Sequence, residues 1–269
     1  MNRNLFLKEI KRNTLSLAVW MVVITLFITV TMAVYPVFLA NQSKIIGMMS
    51  LIPSGVLQFK GISNFTDFLS ALGFYAVNNI IYMMVLGSIY AIVLSSGILL
   101  KEEYNRTAEY LLTRPLTRSE IFLSKLAVLF INIFLLNLVT SLAGFVCLEL
   151  FKNAPFSIKA FLILSLYTLL LNMLFGAVGL FMSTLVKRAR PITTMSIGLV
   201  LILYFIFTLS KITESIAKIG YLSPFRYVNT DVTNPAFSIN FWHLSYFIGI
   251  SLVLTVISYR LYIRKDIYT

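Results

Sequence analysis

Six long apolar stretches constrain this chain more than any other feature of its sequence. Each is about 20 residues or longer and almost free of charge, which is the length that a helix needs to cross the hydrocarbon core of a bilayer. They are predicted at residues 15–39, 76–100, 121–150, 161–186, 191–210 and 242–263. We therefore expect an all-α integral membrane protein with six transmembrane helices.

The composition supports this class and argues against others. Only 12% of the residues are charged, against about 25% in soluble domains, and the mean hydropathy is +0.89. Cys147 is the single cysteine, so the chain has neither an internal disulfide nor a cysteine metal cluster. His243 follows Trp242 at the start of a span, where an interfacial anchor is favoured over a catalytic role.

The basic residues predict the orientation of the spans. Fifteen of the 22 Lys and Arg residues lie in segments 1–14, 101–125, 187–190 and 260–265, and seven lie in the alternate connections. Because Lys and Arg are retained in cytoplasmic loops, both termini are predicted to be cytoplasmic in a multi-pass protein of the cell membrane. The net charge of +12 is explained in the same way, so we expect no nucleic acid partner.

Short helices are predicted on both sides of the membrane. Residues 1–14 place Phe6, Leu7 and Ile10 on one helical face, which favours an amphipathic helix lying on the inner leaflet. Residues 41–75 and 211–240 are predicted to form short helices at the outer face, and we name residues 211–240 the outer cap segment.

The interiors of the spans are polar in places but carry no charge near their centres. Self-powered transporters usually keep ionisable groups at mid-membrane, so this argues against one. Buried amides either join helices or line a substrate path, and the first is favoured. The amides in question are Asn78, Asn79, Asn132, Asn137 and Asn172.

Two series of small residues predict close helix contacts. They face either another span or a second subunit. The series are Gly87, Ala91 and Ser95, and Gly176, Gly179 and Ser183.

One predicted cytoplasmic segment holds nine charged residues between Lys101 and Lys125. Arg114-Pro115 is expected to end a short helix, because the residue before proline avoids helical backbone. Thr117 and Glu120 then form a capping box that starts a new helix. Apolar side chains among the charges are typical of a docking surface.

This segment, "KEEYNRTAEYLLTRPLTRSEIFLSK", resembles the cytoplasmic segment of the ABC type-2 permease family. "YLSPFRYVN", before the last span, also resembles a segment of these permeases, and Thr107-Ala108 departs from their usual Gly-Thr. The matching residues are Glu102, Glu103, Thr107, Glu109, Leu111, Leu112, Pro115, Arg118 and Lys125.

The resemblance implies a single permease domain over residues 1–269, the transmembrane half of an ATP-driven exporter. It implies a homo- or heterodimer of permeases surrounded by membrane lipids, with an ABC ATPase subunit docked on the coupling segment, residues 101–120. The implied docking residues are Glu102, Glu103, Arg106, Thr107, Glu109, Leu111, Leu112, Pro115 and Arg118. The implied outer gate residues are Ser223, Pro224, Phe225 and Arg226.

The chain carries no phosphate-binding loop of the form GxxxxGK[ST], so ATP-Mg is expected in the partner and no cofactor in this chain. Enzymatic activity is not expected, because no catalytic cluster stands out at a membrane face. An alternative function is a membrane sensor or regulator that pairs with an ATPase without transport. The aromatic content suits either an amphipathic, lipid-like cargo or ordinary lipid contact, and frequent Ile, Asn and Lys indicate a bacterial source.

Overall fold

In the computed structural model, the described residues are 3–49, 69–100, 117–186, 189–212, 214–232, 234 and 237–264. They form helices and connecting segments, and contain no strand. The α-helices are α1 (Arg3–Ala40), α2 (Gln42–Met49), α3 (Ala71–Ile98), α4 (Arg118–Phe151), α5 (Ile158–Leu185), α6 (Ala189–Leu209) and α7 (Phe241–Arg264). Two 3-10 helices, η1 (Glu214–Leu222) and η2 (Pro224–Tyr227), lie before α7.

Six of these helices are long and apolar enough to cross a membrane, namely α1 and α3 to α7. This confirms the predicted number of spans, and most of their ends agree with the prediction within a few residues. The short helices expected around the outer segments are present as α2, η1 and η2. Residues 50–68, which belong to the predicted outer segment 41–75, lie outside the described part of the chain.

Serine side chains fix the starts of two spans. Ser70 Oγ accepts a hydrogen bond from Gly73 N at 3.0 Å, and Ser157 Oγ accepts one from Ala160 N at 3.2 Å. Each serine satisfies one of the backbone donors that have no intrahelical partner at a helix start. These caps determine the residues at which α3 and α5 begin.

Helix α1 includes the predicted amphipathic residues at its amino end. Its 38 residues form one unbroken helix, about 57 Å long, which exceeds the thickness of a bilayer with its headgroups. Residues 3–14 are therefore continuous with the spanning helix, and their place on the inner leaflet stays a prediction. Leu5, Glu9, Asn13 and Leu17 recur every fourth residue as a buried stripe that continues into the span.

The centre of the bundle is formed by α3 and α5, which pack more extensively on each other than any other described pair. A Cβ on Gly87 would lie 2.5 Å from Asn172 Nδ2, and a Cβ on Gly179 would lie 2.6 Å from Ile92 O. Because later residues of α3 meet later residues of α5, the two helices run in the same direction. Gly87 and Gly179 therefore make contacts within one subunit. The sequence left open whether they face another span or a second subunit, and the structure shows that they face another span.

Helix α4 packs beside this central pair through two further glycines. A Cβ on Gly176 of α5 would lie 2.7 Å from Ile133 Cδ1, and one on Gly144 of α4 would lie 2.8 Å from Tyr75 Cζ. Helix α1 packs mainly on α4, α7 on α5, and α6 on α3. The outer helices thus surround a core whose backbones approach closely at positions without side chains.

Candidate functional site

The predicted capping box opens α4. Thr117 Oγ1 accepts a hydrogen bond from Glu120 N at 3.2 Å, and the Glu120 carboxylate accepts one from Thr117 N at 3.0 Å. This reciprocal pairing satisfies two backbone donors at the helix start. The prediction that a new helix begins here is confirmed.

Most of the predicted docking residues precede this helix start and lie outside the described residues. Their role in docking stays a prediction, and Arg118 is the member of the set whose position the structure describes. The others are Glu102, Glu103, Arg106, Thr107, Glu109, Leu111, Leu112 and Pro115.

The side chain of Arg118 points to the carboxyl end of α7. Its Nη1 donates a hydrogen bond to Ile263 O at 3.0 Å. Beside it, Ser119 Oγ lies 3.1 Å from Tyr259 OH, and the rings of Phe122 and Tyr259 pack edge to face with centroids 5.4 Å apart. A cation at the carbonyl end of a helix interacts favourably with the helix dipole. The first turns of α4 are therefore fastened to the last turns of α7.

Lys125, two turns into α4, is 1% exposed. Its Nζ donates a hydrogen bond to the carbonyl oxygen of Ile98, the last residue of α3. A lysine is almost never fully buried unless paired, and the last carbonyls of a helix lack intrahelical partners. The sequence places Lys125 in the motif but does not indicate its role, because its partner is a backbone atom 27 residues earlier. We name Arg118, Ser119, Phe122 and Lys125 the α4 junction.

Uncharged polar side chains connect α3, α4 and α5 inside the bundle. Ser88 Oγ donates to Asn172 Oδ1 at 3.1 Å, and Asn172 Nδ2 donates to Asn137 Oδ1 at 3.0 Å. Tyr90 OH also donates to Asn132 Oδ1 at 3.4 Å, between α3 and α4. These buried groups satisfy one another across helices. For Asn132, Asn137 and Asn172, this favours a role in helix association over a role in lining a substrate path.

Asn79 provides a matched contrast to Asn172. Both are buried, but the amide nitrogen and oxygen of Asn79 have no hydrogen-bond partner among the described residues. Asn172→Leu leaves Ser88 Oγ and Asn137 Oδ1 without this partner, so we expect it to lower the free energy of unfolding by about 1–3 kcal/mol. Asn79→Leu removes an unpaired amide and is expected to leave stability unchanged or raised. Thermal unfolding of both variants in one detergent measures the difference, and equal losses would contradict the network.

Two of the outer gate candidates, Ser223 and Phe225, fasten η2 to the bundle. Ser223 is the N-cap and Pro224 the first residue of η2, as predicted, although the Ser223 hydroxyl donates to Leu203 O of α6 at 2.8 Å instead of capping. Phe225 is fully buried, and its ring lies 5.3 Å from that of Phe175 on α5. Their assignment as a gate stays a prediction.

Cations of the outer cap segment lie over aromatic rings. Arg226, the fourth gate candidate, donates from Nη1 to Ala217 O at 2.7 Å, and its guanidinium lies 3.9 Å from the Tyr221 ring centroid. Lys211 Nζ lies 4.3 Å from the Phe207 ring centroid, and burial lowers the pKa of Lys211 to about 8. Such contacts are worth about 0.5–2 kcal/mol, depending on desolvation.

His243 lies in an aromatic cluster where the outer cap segment meets α7. The Tyr227 ring is edge-on to His243 at 5.4 Å and stacks on Tyr246 at 4.0 Å. This packing supports the interpretation of His243 as an anchor. The described residues contain no group of three or more His, Cys, Asp or Glu side chains that could hold a metal ion.

The fold and these contacts define an all-α multi-pass membrane protein. At one end of its bundle, the first turns of α4 hold the ends of two other spanning helices. The chain matches the family model described as ABC-2 family transporter protein over residues 3–267. Because this match covers nearly the whole sequence, the chain belongs to the ABC-2 transporter family. Members of this family are membrane permease subunits of ABC transporters, not catalytic themselves, and pair with an ABC ATPase subunit. A comparison with curated proteins found no match.

Proposed function

We propose that this chain forms the translocation path of an ATP-driven exporter and is driven by a separate ABC ATPase docked on residues 101–120. The observation that carries the proposal is the α4 junction. The coupling segment leads directly into a helix start whose side chains hold the ends of α3 and α7. A force applied to this segment therefore reaches three spanning helices through direct contacts.

The proposed dock consists of the charged residues of the coupling segment and the apolar residues among them, with residues 1–269 acting as a single permease domain. ATP-Mg binds the partner subunit, since this sequence has no phosphate-binding loop. The docking residues in this proposal are Glu102, Glu103, Arg106, Thr107, Glu109, Leu111, Leu112, Pro115 and Arg118.

A second permease, identical or homologous, completes the translocation unit in this proposal. Its support is the apolar outward surface of the outer helices, where Leu15 of α1, Phe205 of α6 and Leu252 of α7 are exposed. Side chains of this kind require lipid or another subunit to cover them in a membrane.

Residues 223–226 are the proposed outer gate for export. Their support is the way in which they hold the cap, since Ser223 and Arg226 each depend on a hydrogen bond to a backbone carbonyl. Breaking these two bonds would weaken the contacts of η2 with α6 and η1, while the buried Phe225 ring and the central pair of α3 and α5 stay in place.

Co-expression with each candidate ABC ATPase from the same genome tests the proposed function. We expect one ATPase to co-purify with the chain in lipid nanodiscs and to hydrolyse ATP, and the chain alone to show no saturable ATP binding at micromolar concentrations. An ATPase whose phosphate-loop lysine is replaced by alanine is the matched control and should assemble without hydrolysis. ATP binding by the partner-free chain would contradict the proposal.

Cysteine labelling tests the proposed orientation. In a Cys147→Ser background, a membrane-impermeant maleimide should label a cysteine at Lys218 in intact cells, because Lys218 is exposed in the outer cap segment. A cysteine at Asn105 should be labelled only after permeabilisation, because the basic residues place the coupling segment inside. Labelling of Asn105→Cys in intact cells would show that the orientation is wrong.

A further inference from the structure

Two cations from the first turns of α4 cap two different helices. Lys125 donates to the carbonyl of Ile98 at the end of α3, and Arg118 donates to the carbonyl of Ile263 in the last turn of α7. Carbonyls at this end of a helix have no intrahelical partner and carry the negative end of the helix dipole. One short stretch of α4 therefore holds the ends of two other spanning helices.

The two attachments share no residue of α4. The α3 attachment is the buried Lys125 cap, in surroundings where a hydrogen bond to a charged group is stronger than in water. The α7 attachment also includes the Ser119–Tyr259 contact and the packing of Phe122 on the Tyr259 and Tyr262 rings. Each attachment can therefore be weakened without changing a residue of the other.

A movement of α3 does not stay within α3. Its backbone approaches α5 closely at Gly179, where an added Cβ would lie 2.6 Å from Ile92 O. Tightly packed elements transmit displacement because their contacts cannot stretch gradually. The α3 attachment thus leads from the start of α4 to the central pair of the bundle, whereas the α7 attachment leads to an outer helix.

We propose that Lys125 is the positioning residue for energy coupling: by capping α3 from within α4, it makes α3 move together with α4 when the ATPase acts. The Ser119–Tyr259 contact does the same for α7. The inference rests on the proposed function, since it requires an ATPase that moves the coupling segment. The inference assigns two separate routes by which movement leaves α4: one reaches the centre of the bundle through α3, and the other reaches its edge through α7.

Two reporter positions test these routes separately, in the complex with the ATPase and in a Cys147→Ser background. A fluorophore on a cysteine at Gly97 reports on α3, because a Cβ there meets no atom within 4 Å. A fluorophore at the exposed Leu261 reports on α7. The measurement is the change in emission between the nucleotide-free complex and the complex trapped with ATP and vanadate.

Lys125→Met is expected to reduce the change in emission at Gly97 at least about fivefold, which is the lower end of the range for coupling between two sites. The change in emission at Leu261 should persist. Tyr259→Phe removes the hydroxyl but keeps the ring on Phe122, and should reduce the response at Leu261 alone. Lys125→Arg keeps a cation for the α3 cap and should restore the response at Gly97. If Lys125→Met fails to fold, Lys125→Gln carries the same test.

An unchanged response at Gly97 in a Lys125→Met complex that still holds its ATPase would overturn the inference and leave the proposed function standing. Equal losses at both reporters would also overturn it, because they indicate a general loosening of the bundle. Failure of the unsubstituted chain to bind any ATPase would overturn the proposed function, and the inference with it.

Discussion

The double substitution Glu102→Lys, Glu103→Lys is expected to release the ATPase from the permease while the six spans stay folded. These carboxylates precede the capped start of α4 in the segment predicted to face the cytoplasm. Removing one member of a desolvated interfacial charge pair costs about 2–5 kcal/mol. This corresponds to a loss of affinity of about thirtyfold or more. Co-purification of the ATPase at matched expression levels measures the loss.

The control for this substitution is Asp231→Lys, which reverses an exposed charge in the outer cap segment. It should leave the ATPase bound, because the proposed dock lies on the opposite side of the membrane in the predicted orientation. Both variants should elute as a single species, since neither substitution lies in a spanning helix. Full association and full ATP hydrolysis in the doubly substituted protein would remove the docking assignment and leave the segment a solvated loop.

Gly179→Val is expected to destabilise the central pair of helices by about 3 kcal/mol, at the upper end of the cost of overpacking. An added Cβ at this position would lie 2.6 Å from the backbone oxygen of Ile92, which cannot rotate away as a side-chain tip can. Because α3 and α5 form the centre, the loss should appear as a lower melting temperature and aggregation in detergent.

Gly249→Val in α7 is the matched control for the substitution at Gly179. A Cβ at Gly249 would meet nothing within 4 Å, so the same change of residue type tests the helix without crowding it. Its melting temperature should remain close to that of the unsubstituted protein. If both variants melted at the same temperature, the close contact of α3 with α5 would not determine stability.

Features that depend on neighbouring residues could be predicted from the sequence. The six spans follow from runs of apolar residues, and the start of α4 follows from Thr117 and Glu120, which lie three residues apart. Ser223 and Pro224 likewise occupy the predicted first positions of η2. In each case the signal lies in one continuous stretch of sequence, so local patterns contain the necessary information.

Features that depend on distant partners could not be predicted. The buried stripe through Glu9 and Asn13 contains polar residues, so the pattern of apolar residues alone does not show that the stripe continues into the span. Lys125 and Arg118 looked like ordinary members of a charged motif. Their partners are backbone carbonyls at the ends of other helices, 27 and 145 residues away.

Site-specific photo-crosslinking in the assembled complex tests the central claim most directly. A photoreactive phenylalanine analogue is placed at Tyr104 or Tyr110 in the coupling segment, and at the exposed Tyr221 of the outer cap segment as a control. The proposed docking predicts a crosslink to the ATPase subunit from at least one of the first two positions and none from Tyr221. An assembled, hydrolysing complex that gives no crosslink from Tyr104 or Tyr110, or an equal yield from Tyr221, would contradict it.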